Sequence, residues 1–143
     1  MTVRVKRSYE LDYNKEQVWK VISDHELRAE GLTVVDDYEV HNEQTVTWVL
    51  SLDLPLVPST LSVKTREQNR DPPEEVAFKG KSKAFTAKGK HKIEQLPDGG
   101  CILHSSFVVE GRLPGVERFF KRNLESELQS LVNYYRDELD VED

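Results

Sequence analysis

From Arg112 to Leu139 the sequence RLPGVERFFKRNLESELQSLVNYYRDEL carries the longest unbroken periodic pattern in the chain. At 100° per residue, Val116, Phe120, Leu124, Leu128, Leu131, Val132, Tyr135 and Leu139 fall in one arc of about 160°, so one side of a long helix must be buried. The rest of the fold is constrained by what that arc rests on. A filled core makes the helix structural, whereas a hollow makes it one wall of a binding site.

The elements that supply that surface are read from a change of period. Val3, Val5, Tyr9 and Leu11 share one face of an opening strand, interrupted on that face by Arg7. In YNKEQVWKVISD, Asn14 is a helix cap with Gln17 three residues on, and Val18, Trp19, Val21 and Ile22 form the buried side. DHELRAEG suits a second short helix that Gly31 ends. From Thr33 the period becomes 2 and stays so for about eighty residues, with turn residues between the runs. The strands are expected at Val34–His41, Thr45–Leu54, Leu61–Asn69, Glu75–Ser82, Phe85–Leu96 and Cys101–Leu113. Nothing helical separates them, so no parallel crossover is available and the sheet is an antiparallel meander. The expected architecture is α+β, in the order β-α-α-β6-α, with a seven-stranded sheet and helices on one side.

With 143 residues the chain suits a single domain over 1–143, closing in an acidic tail at about 137–143. No apolar run reaches the ~20 residues of a membrane span. The N-terminus alternates charged and apolar residues and lacks a signal-peptide core, which makes the cytoplasm the expected location. The lone Cys101 excludes an internal disulfide and reads as a small strand residue rather than a nucleophile. Net charge is −6, yet Lys79 to Lys92 holds six lysines and no acid, so the other residues carry −12. Without arginines and interleaved stacking aromatics this band is not read as a nucleic-acid footprint. It reads as a solvated strand face whose lysines resist edge pairing.

On the inward phases, Trp48, Leu50, Leu52, Leu61, Val63, Val76, Phe78, Leu103, Phe107 and Val109 face the long helix, and the small Gly80, Ala87, Gly89 and Ser105 lie among them. Small residues there leave room for a cavity, or mark bulges that bend the sheet. Tyr38 and Trp48 line such a space or fill it. His91 is either a general acid or base or a hydrogen-bonded structural histidine. Asn123 and Glu127 border the apolar arc of the helix. They are candidates to orient a ligand, with a solvated flank or a Glu127–Arg7 ion pair as the structural alternative. Arg7 itself is a second candidate to hold an anionic ligand group. His25, His41 and His104 are scattered without metal-ligand spacing, so no metal or other cofactor is expected. The loop LDLPLVPSTL places Leu54, Leu56 and Val57 where a solvated turn is expected. It reads as a cavity lid, a membrane contact or a partner contact, with Leu113 and Val116 of GRLPGV beside it at the mouth.

This order of elements, with RSYELDYNKEQVWKVISD at the start and LPDGGCILHSSFVVEGRLPGVERFFKRNLESELQSLV at the end, resembles the helix-grip domains of the START-like superfamily. It is most similar to the polyketide cyclase/dehydrase and lipid-transport group, and within it to the carbon monoxide dehydrogenase G and coenzyme Q-binding types. The resemblance implies a curved seven-stranded sheet gripping the C-terminal helix, with an apolar molecule held between them. It carries over a cavity and no reaction, because members range from carriers to enzymes. The cavity lining expected here is Tyr38, Trp48, Leu50, Leu61, Val63, Phe78, Ala87, Gly89, His91, Ser105, Phe107, Phe120, Asn123, Leu124, Glu127 and Leu131. Leu54, Leu56, Val57 and Val116 are expected at its mouth, and no catalytic residue is assigned. The leading expectation is binding or transport of a lipid-like or polyketide-like small molecule. The alternatives are a cyclase or hydrolase using His91 or Glu127, and an accessory protein that docks a partner or membrane.

Overall fold

The structure, a computed structural model, describes residues 2–52 and 60–142. Leu54, Leu56 and Val57, and with them the lid or contact reading, lie outside the described residues. The chain runs β1 (Thr2–Leu11), α1 (Lys15–Ile22), α2 (His25–Gly31), β2 (Val35–Asn42), β3 (Thr45–Ser51), β4 (Thr60–Asp71), β5 (Glu75–Lys81), β6 (Phe85–Gln95), β7 (Cys101–Gly111) and α3 (Val116–Glu142). The seven strands form one sheet in the order β1-β7-β6-β5-β4-β3-β2, every neighbouring pair antiparallel. The architecture is α+β, as the pattern of periods requires.

Local chemistry sets the ends of the elements. The Asn14 side chain accepts from Gln17 N at 2.9 Å and the Gln17 side chain accepts from Asn14 N at 3.0 Å, a reciprocal cap that starts α1. Asp24 caps α2 by accepting from Glu26 N and Leu27 N, which is why two short helices form instead of one. Gly31 does more than end α2. A Cβ at this position would stand 2.7 Å from Leu131 Cδ1 and 3.3 Å from Leu131 Cα, so its lack of a side chain lets α2 lie against α3. In the β6–β7 hairpin, Gly99 adopts φ 96°, and Asp98 accepts from Gly100 N at 2.9 Å.

The arc on α3 is buried along its whole length; all eight of its apolar residues are at most 9% exposed. Its 27 residues span about 40 Å at 1.5 Å each. The C-terminal half (Leu131, Val132, Tyr135, Leu139) rests on a filled core with Tyr9, Leu11, Val18, Ile22, Val76, Ile93 and Leu103. The N-terminal half (Val116, Phe120, Leu124) joins Leu52, Leu61, Val63, Phe85 and Val109.

The strand lysines of the Lys79–Lys92 band occupy the opposite face of the sheet, but strand order changes their explanation. β5 and β6 are interior strands and the edges are β1 and β2, so these lysines do not guard an edge. Instead Lys79 stands directly across from Lys88 on one side and Arg66 on the other. Like charges in that arrangement are unfavourable. Lys79→Glu is therefore expected to raise the urea midpoint, and to leave ligand binding unchanged because the side chain points away from α3; equilibrium unfolding and calorimetric titration check the two halves of that expectation.

Candidate functional site

Between the inward face of the sheet and the N-terminal and middle turns of α3 lies a cavity of about 140 Å³. Each strand from β3 to β7 contributes: Trp48 and Leu50 from β3, Val63 and Thr65 from β4, Phe78 from β5, Phe85 and Ala87 from β6, Phe107 and Val109 from β7. α3 closes it with Phe119, Phe120, Asn123, Leu124, Glu127, Leu128 and Leu131, while Arg28 enters from α2 and Leu32, Val34 and Val35 from the chain that follows. The lining is almost wholly apolar because strand alternation sends the charged residues of β5 and β6 to the other face.

Of the residues expected to line a cavity, Trp48, Leu50, Val63, Phe78, Ala87, Phe107, Phe120, Asn123, Leu124, Glu127 and Leu131 are on its wall. Tyr38, on the edge strand β2, instead stacks on Trp48 with ring centroids 5.9 Å apart. Leu61 packs with Leu52 and Val63 in the core beside the cavity. Val116 is fully buried in that same core and is not among the residues that line the cavity.

Gly89 does not provide the space its size suggests. A Cβ there would lie 2.3 Å from Phe78 Cζ and 2.9 Å from Phe107 Cε1, so the two rings already occupy the room above it. Behind those rings sit His91 and Ser105. His91 Nδ1 and Ser105 Oγ are 2.7 Å apart, and the imidazole packs edge-on to Phe107 at 5.7 Å and tilted against Phe78 at 6.3 Å. Burial, assisted by the nearby positive charge of Arg28, depresses the His91 pKa to about 3. The ring is neutral at physiological pH, one layer behind the wall, and its Nε2 has no partner among the described residues.

Four polar side chains reach the wall. Thr65 Oγ1 accepts from Trp48 Nε1 at 2.8 Å and fixes that indole. Asn123 Nδ2 donates to Phe119 O at 2.8 Å, within its own helix. Glu127 accepts from Val34 N at 3.1 Å and from the Thr33 hydroxyl, and so ties α3 to the start of β2. It does not pair with Arg7, which bonds Glu125 instead, Nη2 to Oε2 at 2.8 Å. β1 is an edge strand, and Arg7 reaches from it to the exposed flank of α3 rather than under the helix. The fourth is Arg28, only 5% exposed, whose Nη2 donates to Ile22 O at 2.6 Å and whose guanidinium carbon lies 5.2 Å from the Phe78 ring centroid.

Arg28 is not legible in the sequence as a wall residue. Its one signal is position: it stands among Leu27, Ala29 and Leu32 in a short helix that has little else to bury. Phe85 shares the inward phase of Ala87, and Thr65 that of Val63, so alternation is the signal for both, whereas Phe119 lies outside the apolar arc of α3 and has none. Cys101 is buried, which pushes its thiol pKa up and away from a reactive thiolate. Among the described residues no three His, Cys, Asp or Glu side chains are placed to hold a metal ion. No helix is long and apolar enough to cross a membrane among them either. A larger depression of about 710 Å³ between α2 and the outer side of α3 is open to solvent, and carboxylates of Glu30, Glu125 and Asp137 stand around it. It lacks the mainly apolar wall of the cavity under α3.

An antiparallel sheet folded onto one long helix over an apolar cavity is the arrangement of a ligand-binding helix-grip domain. The family model for polyketide cyclase / dehydrase and lipid transport matches residues 2–136, and the chain belongs to that family. Solved structures share the fold at low sequence identity. A START superfamily protein from Mycobacterium smegmatis superposes with a TM-score of 0.79 at 12% identity, over 98% of this chain and 99% of that one. The Zhui aromatase/cyclase from Streptomyces sp. R1128 gives 0.78 at 14% identity, over 98% and 94%. A conserved protein from Geobacillus kaustophilus gives 0.80 at 15%, over 96% and 95%. A comparison with curated protein sequences finds no match.

Proposed function

We propose that this protein binds a small apolar molecule in the cavity beneath α3 and acts as a carrier or binding domain for it. The observation that supports this best is the wall of Trp48, Val63, Phe107, Phe120 and Leu124 around a space that no described residue fills. A dry cavity of about 150 Å³ lined by Leu, Ile and Phe holds benzene, so this volume suits a single ring or a short chain. A whole lipid or polyketide chain needs the ~300 Å³ or more typical of ligand pockets, and binding one would require α3 to move outward from the sheet.

The enzymatic alternative lacks an activated group. A general base near neutrality needs a pKa near the working pH, and His91 is depressed to about 3 and screened by Phe78 and Phe107. Both oxygens of Glu127 are occupied by donors that fix the backbone rather than presented to a substrate.

Calorimetric titration with 1-octanol tests the proposal. Saturable binding with a negative heat-capacity change marks burial of an apolar chain. Ala87→Phe places a ring of about benzene size in the cavity. This variant is expected to fold and to lose octanol binding. Octanol binding that is unchanged in Ala87→Phe would move the site elsewhere.

A further inference from the structure

Four buried polar atoms have no close hydrogen-bond partner among the described residues: His25 Nδ1, Arg28 Nε, His91 Nε2 and Tyr135 Oη. The last three belong to one neighbourhood. Arg28 lies over Phe78, His91 packs against that same ring, and the Tyr135 hydroxyl is close enough to interact with the Arg28 guanidinium. Only Arg28 both carries a charge and stands on the cavity wall.

A buried cation is normally paired with a carboxylate, because removing it from water is costly. Arg28 has no such pair among the described residues. It meets the Ile22 carbonyl at the C-terminal end of α1, where the helix dipole is negative, and the face of the Phe78 ring. These engage part of a group that has five N–H donors. The carboxylate on the cavity wall, Glu127, is committed to Thr33 and Val34 and does not neutralise it. His91, neutral, brings no charge. The wall therefore holds a desolvated cation with an unpartnered Nε–H next to a mainly apolar space.

We infer that the molecule bound in the cavity is an apolar carboxylate, whose anionic end meets the Arg28 guanidinium and whose chain or ring lies toward Phe119 and Phe120. This inference rests on the binding role proposed above and narrows it to a ligand class. Arg28 sets the direction: the charged end is held at α2, where the cation stands, and the apolar end lies among the aromatic rings at the start of α3. Desolvation of Arg28 is already imposed in the free protein, which favours an anion over a neutral group of the same size.

The test compares octanoate with 1-octanol at pH 7 by NMR titration of the ¹⁵N-labelled full chain. Arg28→Gln is expected to weaken octanoate at least about tenfold, the worth of one charge-assisted hydrogen bond, and to leave octanol within about threefold. In the wild type the Arg28 Nε–H resonance is expected to move downfield with octanoate and not with octanol, a readout that holds even if Arg28→Gln fails to fold. Equal octanoate affinity in wild type and variant, or an unmoved Nε–H signal at saturation, overturns the assignment. Binding of octanol without octanoate overturns it while the apolar-binding role stands. Binding of neither overturns both.

Discussion

Acidification from pH 7 to pH 5 is expected to remove about 2 kcal/mol of folding stability through His91 alone. The imidazole has a folded pKa of about 3 against 6.5 for an unperturbed group. Between those values the unfolded chain takes up a proton that the folded chain does not, so the unfolded state is favoured as pH falls. The contribution is fully retained above pH 6.5, declines progressively below it, and stops declining only near pH 3. Its physical source is burial first and the Arg28 charge second. Urea unfolding of the wild type and His91→Gln at both pH values isolates it. Carboxylates titrate alike in the two proteins, and the Gln side chain retains hydrogen-bonding capacity toward Ser105. Wild type should lose about 2 kcal/mol more than the variant over this range. Parallel losses would mean that His91 is not sealed from water.

The second large effect is expected at Leu131. This side chain is 1% exposed, fills the gap left by Gly31 where α2 meets α3, and forms part of the cavity wall. Leu131→Ala should cost about 2–5 kcal/mol, because its neighbours already border a void and cannot close over the loss. The same truncation enlarges the cavity. Decan-1-ol should consequently gain affinity relative to octan-1-ol in the variant. Unfolding free energies and paired titrations measure the two effects, and a loss below about 1 kcal/mol would show that α2 is not packed on α3 through this residue.

Most of the fold is legible in the sequence because it rests on local rules. The α3 arc, the Asn14–Gln17 cap and the antiparallel strands all follow from residues near one another in the chain, and each element recurs in the structure. The site is legible where alternation alone decides, as at Trp48, Val63, Phe107 and Phe120. It misleads where register decides. Gly89 reads as space until β5 is placed beside β6, when Phe78 falls directly opposite and its ring fills the gap. A pairing of Arg7 with Glu127 suits two residues on the flanks of inward faces, yet only strand order reveals that β1 is an edge and that Glu125 is the residue within reach. An edge role for the lysine band fails on the same ground, since periodicity within a strand carries no information about its neighbours. Arg28 is least legible of all, because a charged residue on a seven-residue helix is buried only by what α3 and β5 bring to it.

Occupancy of the space beneath α3 can be seen in a crystal structure of the protein grown with 1-octanol. One alcohol molecule is expected beneath α3, its chain in contact with Trp48, Phe107, Phe120 and Leu124. Octanol bound only on the outer surface, or a sheet–helix space filled by the protein's own side chains, would contradict the proposed binding.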